Sequence, residues 1–248
     1  MPETVAHQKV VPFRDSNLSK KEQVAHMFNA IAFRYDFLNH FLSLGIDRRW
    51  RKRALMLLQD IQPKMMLDVA TGTGDMAIMA SKLLQPEKVA GIDISEGMLE
   101  LGREKIKKAG LSGKISLQWG DSETISFPGG TFDAITVAFG VRNFENLEKG
   151  LAEMHRVLKP GGKAVILEFS RPTAFPVKQL FNFYFRYITP YIGKWVAKNK
   201  AAYAYLPDSV RAFPRGAAMV DILKKTGYTQ AVCIPLTFGI CSIYCASR

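Results

Sequence analysis

Apolar segments typical of buried strands alternate with helical segments through the middle of this chain, and this alternation limits the fold more than any other feature. We predict strands at 64–70, 88–94, 114–121, 132–140 and 163–170, and helices at 75–84, 95–110 and 147–162. Strands and helices that alternate at this spacing form βαβ units, in which helices cover both faces of a parallel sheet. The pattern therefore predicts a doubly wound α/β fold.

The two ends of the chain differ from this pattern. Residues 217–227 are typical of a helix, and two strand-like segments follow, 228–236 and 239–247. A hairpin can join a parallel sheet only if one of its strands runs antiparallel. Residues 1–60 are mostly helical in pattern, and a length of 248 residues suits one well-buried domain. We predict a single domain over 1–248, with 1–60 as a helical cap.

Positive charge is concentrated in the segment 171–215. The chain has a formal net charge of +12, and this segment contains eight basic residues against the single acidic Asp208. It also holds eleven of the 27 aromatic residues. Basic residues among aromatics suit either nucleic acid or an anionic membrane surface. A helix that faces the core and has a solvated basic face explains the same composition.

Several classes of protein are disfavoured by composition. The three cysteines, an odd number without a CxxC pair, argue against a disulfide framework and a zinc site. No apolar run approaches the roughly 20 residues of a membrane-spanning helix, and the first residues lack the apolar core of a secretory signal. We predict a protein without a metal that is either cytosolic or attached to a membrane face.

The segment LDVATGTGD (67–75) carries the first sign of a ligand. It leaves a predicted strand, turns on Gly72 and Gly74, and enters a predicted helix, so free backbone N–H groups face the carboxyl edge of the sheet. Asp93 ends the next strand, where a carboxylate can accept both hydroxyls of a ribose. Both NAD and S-adenosylmethionine carry such a ribose, so these residues do not choose between them.

Three features favour S-adenosylmethionine. Asp68 begins an Asp-x-x-x-Gly-x-Gly pattern, and its carboxylate suits a cationic amino acid end better than a pyrophosphate. Asp121 and Ser122, after the third strand, can hydrogen-bond an adenine. RVLKPGG (156–162), before the fifth strand, is a frequent connection in methyltransferases. The predicted donor-binding residues are Asp68, Gly72, Thr73, Gly74, Asp93, Asp121 and Ser122. A purely structural Asp68, which ties down the loop, is the alternative.

Beyond these motifs, the chain resembles the ubiquinone/menaquinone biosynthesis C-methyltransferase family. The matching segments cover most of the chain in the expected order: 28–51, 67–75, 93–105, 127–144, 153–172 and 202–214. The general methyltransferase motifs are unspecific, whereas AFGVRN (138–143) and the block over 35–51 are much more specific. Ala70 departs from many S-adenosylmethionine enzymes, which have glycine there, although members of this family often have alanine.

The resemblance implies a class I, Rossmann-like fold with a seven-stranded, mostly parallel sheet and a C-terminal antiparallel strand. It also implies methyl transfer from S-adenosylmethionine to a ring carbon of a reduced polyprenyl quinone, converting demethylmenaquinol to menaquinol. The ubiquinone precursor 2-polyprenyl-6-methoxy-1,4-benzoquinol is an alternative substrate. An RNA methyltransferase, an NAD-dependent enzyme and a non-catalytic subunit of a quinone-synthesis assembly are alternatives from other classes.

Candidate catalytic residues follow the fourth strand. Arg142 would stabilise the developing oxyanion or order a water, and Asn143 would orient that water or the ring hydroxyl. Their structural alternatives are an arginine paired with a nearby carboxylate and an asparagine that caps the next helix. Tyr35 and Tyr203 are candidates to line the quinol pocket, and each could equally be a packed aromatic.

The aromatic and basic segment also acquires a role. We expect 171–215 to cover the substrate, with 175–200 touching anionic lipid through its lysines. This predicts a cytoplasmic protein that is peripheral at the inner face of the cytoplasmic membrane, with binding that weakens with salt, and no nucleic acid partner. A cover helix that stays in water is the competing interpretation, and a homo-oligomer is an open expectation.

Overall fold

One mixed sheet of seven strands, in the order β3-β2-β1-β4-β5-β7-β6, organises the protein in a computed structural model. The structure describes residues 7–43, 45–183 and 200–248, and it describes their side chains except at 34–42, 182 and 200–204. The strands are β1 Met65–Val69, β2 Lys88–Asp93, β3 Ile115–Trp119, β4 Phe132–Ala138, β5 Leu158–Phe169, β6 Thr229–Leu236 and β7 Cys241–Ser247.

Strands β1 to β5 pair in parallel, and β7 pairs antiparallel with both β5 and β6. The predicted α/β class, with its C-terminal antiparallel hairpin, is therefore confirmed. The described helices are α1 Lys20–Leu42, α2 Ile46–Met56, α3 Asp75–Leu83, α4 Glu96–Lys108, α5 Leu147–Val157, α6 Val177–Phe183, α7 Lys200–Ala212 and α8 Ala217–Lys225.

The end of α5 differs from the prediction. A helix was expected to reach residue 162, but it ends at Val157, and Leu158 already lies in β5, where it pairs with Phe132. Pro160 disfavours helical backbone at the residue before it, so the helix stops ahead of the proline. Gly161 has a φ of +78°, and the ladder between β4 and β5 is irregular here before regular pairing resumes.

Apolar side chains fill both faces of the sheet because β1, β4 and β5 are buried on both sides. Leu67 and Val69 of β1 face a core cluster that α5 and α8 cover, whereas Met66 faces a cluster under α2 and α3. This burial on both faces explains why the strands form nearly continuous apolar runs in the sequence.

The N-terminal segment packs against the carboxyl edge of the sheet. Asn29 on α1 accepts hydrogen bonds from the Ser95 hydroxyl at 2.7 Å and the Gly97 N–H at 2.9 Å, at the start of α4. The buried His7 ring donates from Nε2 to the carbonyl of Arg142 at 2.5 Å, and Lys20 Nζ donates to the His7 carbonyl at 3.0 Å. Residues before β1 are therefore attached to the loop after β4.

No helix among the described residues combines the length and apolar character that crossing a bilayer requires.

The loops after β1 and β4 approach each other closely. Ala70 and Phe139 both have positive φ values, +51° and +60°. A Cβ on Gly140 would lie 2.5 Å from the Cβ of Ala70. Since real Cβ atoms do not approach so closely, glycine at 140 is a consequence of alanine at 70.

We predict that Gly140→Ala lowers the free energy of unfolding by about 1–3 kcal/mol, the usual cost of overpacking. Adding Ala70→Gly removes the opposing Cβ and should restore most of this loss. Urea denaturation of both single variants and the double variant measures the coupling. Gly113→Ala is the matched control, because a Cβ there would meet nothing within 4 Å. Additive effects of the two substitutions would contradict the prediction.

His7 should make stability depend on pH. Burial, followed by the charge of Lys20, lowers the pKa of His7 from 6.5 to about 3, against the opposing bond to Arg142. The neutral ring therefore stabilises the fold above about pH 6.5, and this stability is lost as the pH falls towards 3.

We expect the wild type to exceed His7→Gln in free energy of unfolding at pH 7. This difference should shrink by up to about 1.4 kcal/mol per pH unit below pH 6.5. Urea denaturation from pH 7 to pH 4.5 tests it, with the exposed His26→Gln as control. A difference that stays constant with pH would contradict the assignment.

Candidate active site

A cleft opens at the carboxyl ends of β1, β2 and β4. The chain places β2 and β3 on one side of β1 and then places β4 on the other side. Open α/β sheets bind ligands where the strand order reverses in this way. The lining residues are Lys21, Val24, Phe28, Ala70, Gly72, Asp93, Ile94, Met98, Gly120, Asp121, Ser122, Glu123, Ala138, Phe139, Gly140, Asn143, Phe144 and Glu145.

The glycine turn forms the floor of this cleft next to the N-terminus of α3. Gly72 and Gly74 have φ values of +57° and +79°, in the left-handed region that favours glycine. A Cβ on Gly72 would meet nothing within 4 Å, so its backbone is open to a ligand. Gly74 and Thr73 are not among the lining residues; Thr73 is buried and accepts a hydrogen bond from Lys105 at 3.1 Å.

Asp93 connects the turn to the end of β2. Its carboxylate accepts the N–H of Gly72 at 2.8 Å and the N–H of Ser95 at 2.9 Å. Burial raises the pKa of Asp93, against the backbone N–H groups of Ser95, Gly72 and Ile94. Each carboxylate oxygen can accept a second hydrogen bond, so the side chain retains capacity for two ribose hydroxyls.

Asp68 lies beneath the turn and is not among the residues that line the cleft. It is 1% exposed, and it accepts hydrogen bonds from the hydroxyls of Thr71 and Thr136, each at 2.6 Å. Burial raises the pKa of Asp68 to about 6, against the effect of both hydroxyls. These contacts fit the structural alternative, in which the carboxylate ties the loop after β1 to β4.

Asp121 and Ser122 line the opposite wall after β3, where the sequence placed adenine recognition. The Asp121 carboxylate accepts the N–H of Glu123 at 2.9 Å and lies 2.5 Å from Lys21 Nζ. Lys21 also lies 3.5 Å from Glu123. Burial opposes the charge on Lys21, but the bond and charge of Asp121, with help from Glu123, raise the pKa of Lys21 overall.

Helix α1 supplies one wall that the sequence analysis did not identify. Lys21, Val24 and Phe28 line the cleft, and their spacing of three and four residues places them on one helical face. That spacing in the sequence predicts a shared helical face. Neighbouring residues in the sequence do not show which surface that face contacts. The apolar Ile94 and Met98 lie on the side of β2 and α4. A planar, uncharged ring therefore finds apolar surface in the cleft, while Asp93 and Asp121 provide acceptors, so the lining suits S-adenosylmethionine.

Arg142 lies behind the cleft wall in the short helical turn Val141–Asn143. Its guanidinium Nη1 lies 2.8 Å from Oε1 of Glu168 and 2.5 Å from the carbonyl of Phe139, and its backbone N–H donates to Glu168 at 3.2 Å. Both side chains are buried, Glu168 completely. The predicted catalytic arginine is thus paired with a carboxylate at the end of β5, a residue that the sequence analysis missed.

Asn143 lies on the cleft side of the same turn. It lines the cavity, and its buried Oδ1 has no hydrogen-bond partner among the described residues. A buried acceptor without a partner is costly and marks a place where a ligand or water donor fits. Asn146, and not Asn143, caps α5 by accepting the N–H of Lys149. The capping alternative for Asn143 is therefore excluded.

Tyr35 and Tyr203 lie in α1 and α7, but their side chains are outside the described residues. The neighbouring Tyr205 is described, and the sequence analysis did not single it out. Its buried hydroxyl has no hydrogen-bond partner among the described residues. Burial raises the pKa of Tyr205 far above its usual value, and the charges of Arg142 and Glu168 act on it. Helix α7 packs against the turn Val141–Asn143 that carries Arg142.

Comparison with known proteins identifies the family of this chain. The model of the family described as "ubiE/COQ5 methyltransferase family" matches residues 16–248. The chain is 52% identical to the demethylmenaquinone methyltransferase of Bacteroides fragilis, over 97% of this chain and 98% of that protein. It is 44% identical to the ubiquinone/menaquinone biosynthesis C-methyltransferase UbiE of Geobacter sulfurreducens, over 92% of this chain and 90% of that protein.

A solved structure is similar in fold. Phosphoethanolamine N-methyltransferase 2 of Haemonchus contortus, in complex with S-adenosyl-L-methionine, is 16% identical and superposes with a TM-score of 0.65, covering 95% of this chain and 61% of that chain. The class I methyltransferase fold predicted from the sequence is confirmed, and so is the predicted family. The chain belongs to the ubiE/COQ5 methyltransferase family.

Proposed function

We propose that this enzyme transfers a methyl group from S-adenosylmethionine to a ring carbon of demethylmenaquinol and forms menaquinol. The observation that carries the proposal is a single cleft with two polar regions: Asp93 beside the glycine turn, and Asn143 with an unpartnered oxygen. The first region suits a ribose, and the second suits a donor such as a ring hydroxyl. The relative from Bacteroides fragilis, a demethylmenaquinone methyltransferase, supports this substrate over others.

The reaction requires an activated ring carbon and precise alignment. S-adenosylmethionine supplies an electrophilic methylsulfonium when bound. The quinol carbon becomes nucleophilic as a neighbouring hydroxyl loses its proton, so the site has to hold that hydroxyl and accommodate its negative charge. The Oδ1 atom of Asn143 can accept this O–H and fix the orientation of the ring. Alignment of the carbon with the S–CH₃ bond accounts for about 7–11 kcal/mol in favourable cases.

Arg142 acts through its positive charge. A guanidinium stays protonated at physiological pH, and the buried Glu168 beside it favours the cation further. Arg142 is therefore unsuited to accept the proton itself. It orients the loop that carries Asn143 and provides positive charge behind the developing oxyanion. The proton passes to another acceptor, for which a water ordered at this turn is suitable.

The two segments outside the central sheet enclose the substrate in this proposal. Residues 1–60 form a cap, of which α1 covers the cleft through Lys21, Val24 and Phe28. Residues 171–215 cover the quinol, and Tyr35 and Tyr203 line its pocket. Exclusion of water by these segments protects the methyl donor and strengthens the electrostatic interactions inside.

The polyprenyl tail of the substrate places the enzyme at a membrane. We propose peripheral attachment to an anionic surface at the cytoplasmic face. Phe175, Leu180 and Phe183 are 80%, 65% and 56% exposed, with the basic Lys178 between them. Apolar and basic side chains together suit the boundary between headgroups and acyl chains. Association into a homo-oligomer stays a prediction.

A second candidate substrate is the ubiquinone precursor 2-polyprenyl-6-methoxy-1,4-benzoquinol. The relative from Geobacter sulfurreducens bears a name that covers both pathways, and it supports this alternative. Both substrates are reduced quinols with a ring carbon next to a hydroxyl, so the same residues would serve either.

Donor binding should depend on Asp93. We expect Asp93→Asn to raise the dissociation constant of S-adenosylhomocysteine about 10- to 100-fold, because hydrogen bonds to a charged acceptor contribute about 1.5–3 kcal/mol. Isothermal titration calorimetry measures this constant. Asp221→Asn, an exposed site on α8, is the matched control. Unchanged affinity in Asp93→Asn would remove Asp93 from the donor site.

Transfer of a labelled methyl group tests the reaction. The protein is incubated with methyl-labelled S-adenosylmethionine and each reduced quinol in detergent, and with RNA in a parallel sample. Label on the ring carbon of demethylmenaquinol is the expected result. Label only on the ubiquinone precursor would favour the second substrate. Label in RNA alone, or none in any sample despite donor binding, would contradict quinol methylation.

The roles of Arg142 and Asn143 need matched variants. Arg142→Ala alone leaves Glu168 buried without its cation, which costs about 3–5 kcal/mol and endangers folding. Arg142→Ala combined with Glu168→Gln avoids that charge. We expect this double variant and Asn143→Ala to lose about 10²- to 10³-fold in kcat with unchanged donor affinity. Arg142→Lys, which keeps a cation beside Glu168, is the control, and a kcat for the double variant equal to that of this control would contradict a role for Arg142.

A further inference from the structure

The turn between β6 and β7 exposes an aromatic side chain on a constrained backbone. Thr237, Phe238 and Gly239 have φ values of +45°, +56° and +88°, so three successive residues are left-handed. Phe238 is 79% exposed. A bulky residue in this conformation is unusual and is kept only where neighbouring structure holds it. The turn is held on one side by Trp50, whose Nε1 donates to the Thr237 hydroxyl at 2.8 Å.

This turn lies at the same edge of the sheet as the cleft. Leu236, the last residue of β6, pairs with Cys241 of β7, and Cys241 pairs with Phe169 at the carboxyl end of β5. The N–H of Ser170, immediately after β5, donates to the carbonyl of Ile240 at 2.8 Å. Phe238 is therefore presented beside the start of the segment 171–215.

Helix α2 places positive charge next to the turn. The buried Trp50 is the residue of α2 that contacts the turn, through Thr237. Asp47 is buried and paired with Arg51 on the same helix. Among the exposed residues of α2, the charged ones are all basic: Arg48, Arg49, Lys52 and Arg53. They occupy two consecutive helical turns. The surface that α2 forms beside the turn is therefore positively charged, because this helix has no exposed acidic residue.

The other flank is apolar. A Cβ on Gly239 would lie 3.5 Å from Cα of Pro172, so the turn contacts the chain as it leaves β5. The exposed Phe175, Leu180 and Phe183 follow within the next eleven residues. The exposed apolar set includes an aliphatic leucine, which cannot stack on a base. This composition favours a lipid surface over nucleic acid.

We propose that the turn 237–239 and the exposed face of α2 form a docking surface for an anionic lipid bilayer, in which Phe238 enters the interface and the four basic side chains contact headgroups. This proposal rests on the proposed function, in which the substrate is a membrane-resident quinol. It adds the turn 237–239 and α2 to the segment 175–200 that was already proposed to touch the membrane. Its location at the carboxyl edge turns the cleft side of the sheet towards the bilayer that holds the substrate tail.

The first test is binding of the full-length protein to vesicles of phosphatidylglycerol and phosphatidylcholine by co-sedimentation. We expect Phe238→Ala to weaken binding about tenfold, the effect of one buried aromatic ring. Arg49→Glu with Arg53→Glu should weaken it at least as much, and this difference should fade at high salt. Because these side chains are exposed, circular dichroism should show wild-type folding.

Matched controls separate this surface from general properties of the chain. Val232→Ala removes an exposed apolar side chain from the middle of β6, away from the turn at the carboxyl edge. Lys107→Glu with Lys114→Glu makes the same change in charge on exposed residues at the end of α4 and before β3. Both controls should bind vesicles like the wild type. If they weaken binding as much as the test variants, or if no variant changes it, the proposal is wrong.

A second measurement separates this proposal from the proposed function. Methyl transfer to a short-tailed, water-soluble demethylmenaquinol should be unchanged in Phe238→Ala, whereas transfer to a long-tailed quinol in vesicles should fall. If Phe238→Ala loses vesicle binding but the wild type methylates neither quinol, the docking surface is supported and the proposed reaction is wrong. Two other outcomes would replace the bilayer as the occupant: a dimer that Phe238→Ala dissociates, or RNA binding that both test variants abolish.

Discussion

The buried ion pair between Arg142 and Glu168 joins the parts of the protein that surround the cleft. Glu168 belongs to the end of β5, and Arg142 belongs to the loop after β4. The backbone carbonyl of Arg142 also accepts a hydrogen bond from the ring of His7 in the N-terminal segment. The charges of Arg142 and Glu168 both act on the hydroxyl of Tyr205 on α7. A buried charge without its partner is strongly unfavourable, so the pair holds the end of β5 against the loop after β4.

Around this pair, burial sets the chemistry of the cleft. Asp68 and Asp93 both have raised pKa values because they have lost water, although hydroxyls or backbone N–H groups bind them. The difference lies in their remaining surroundings. Asp68 is enclosed by Thr71 and Thr136, whereas Asp93 lines the cavity. Two carboxylates that look alike in the sequence therefore have different surroundings: one is enclosed beneath the turn, and the other is open to the cavity.

Much of the fold and part of the site could be predicted before the structure was known. The apolar strands, the turn on Gly72 and Gly74 and the acidic end of β2 are local patterns with local physical causes. The end of α5 was missed because the register of β5 against β4 competes with the helix for Leu158. Glu168 and Lys21 were missed because their partners, Arg142 and Asp121, lie 26 and 100 residues away along the chain.

The sequence by itself determined the order of strands and helices along the chain, the location of the glycine turn and the family. These follow from hydrophobic periodicity, glycine conformation and short sequence motifs, which are properties of short segments. Only the tertiary structure decided that α1 covers the cleft, that Arg142 is paired while Asn143 faces the cavity, and that Phe238 lies beside α2. The physical reason is that burial and pairing arise between segments distant in sequence. A side chain's environment, and with it its role, is set when those segments meet.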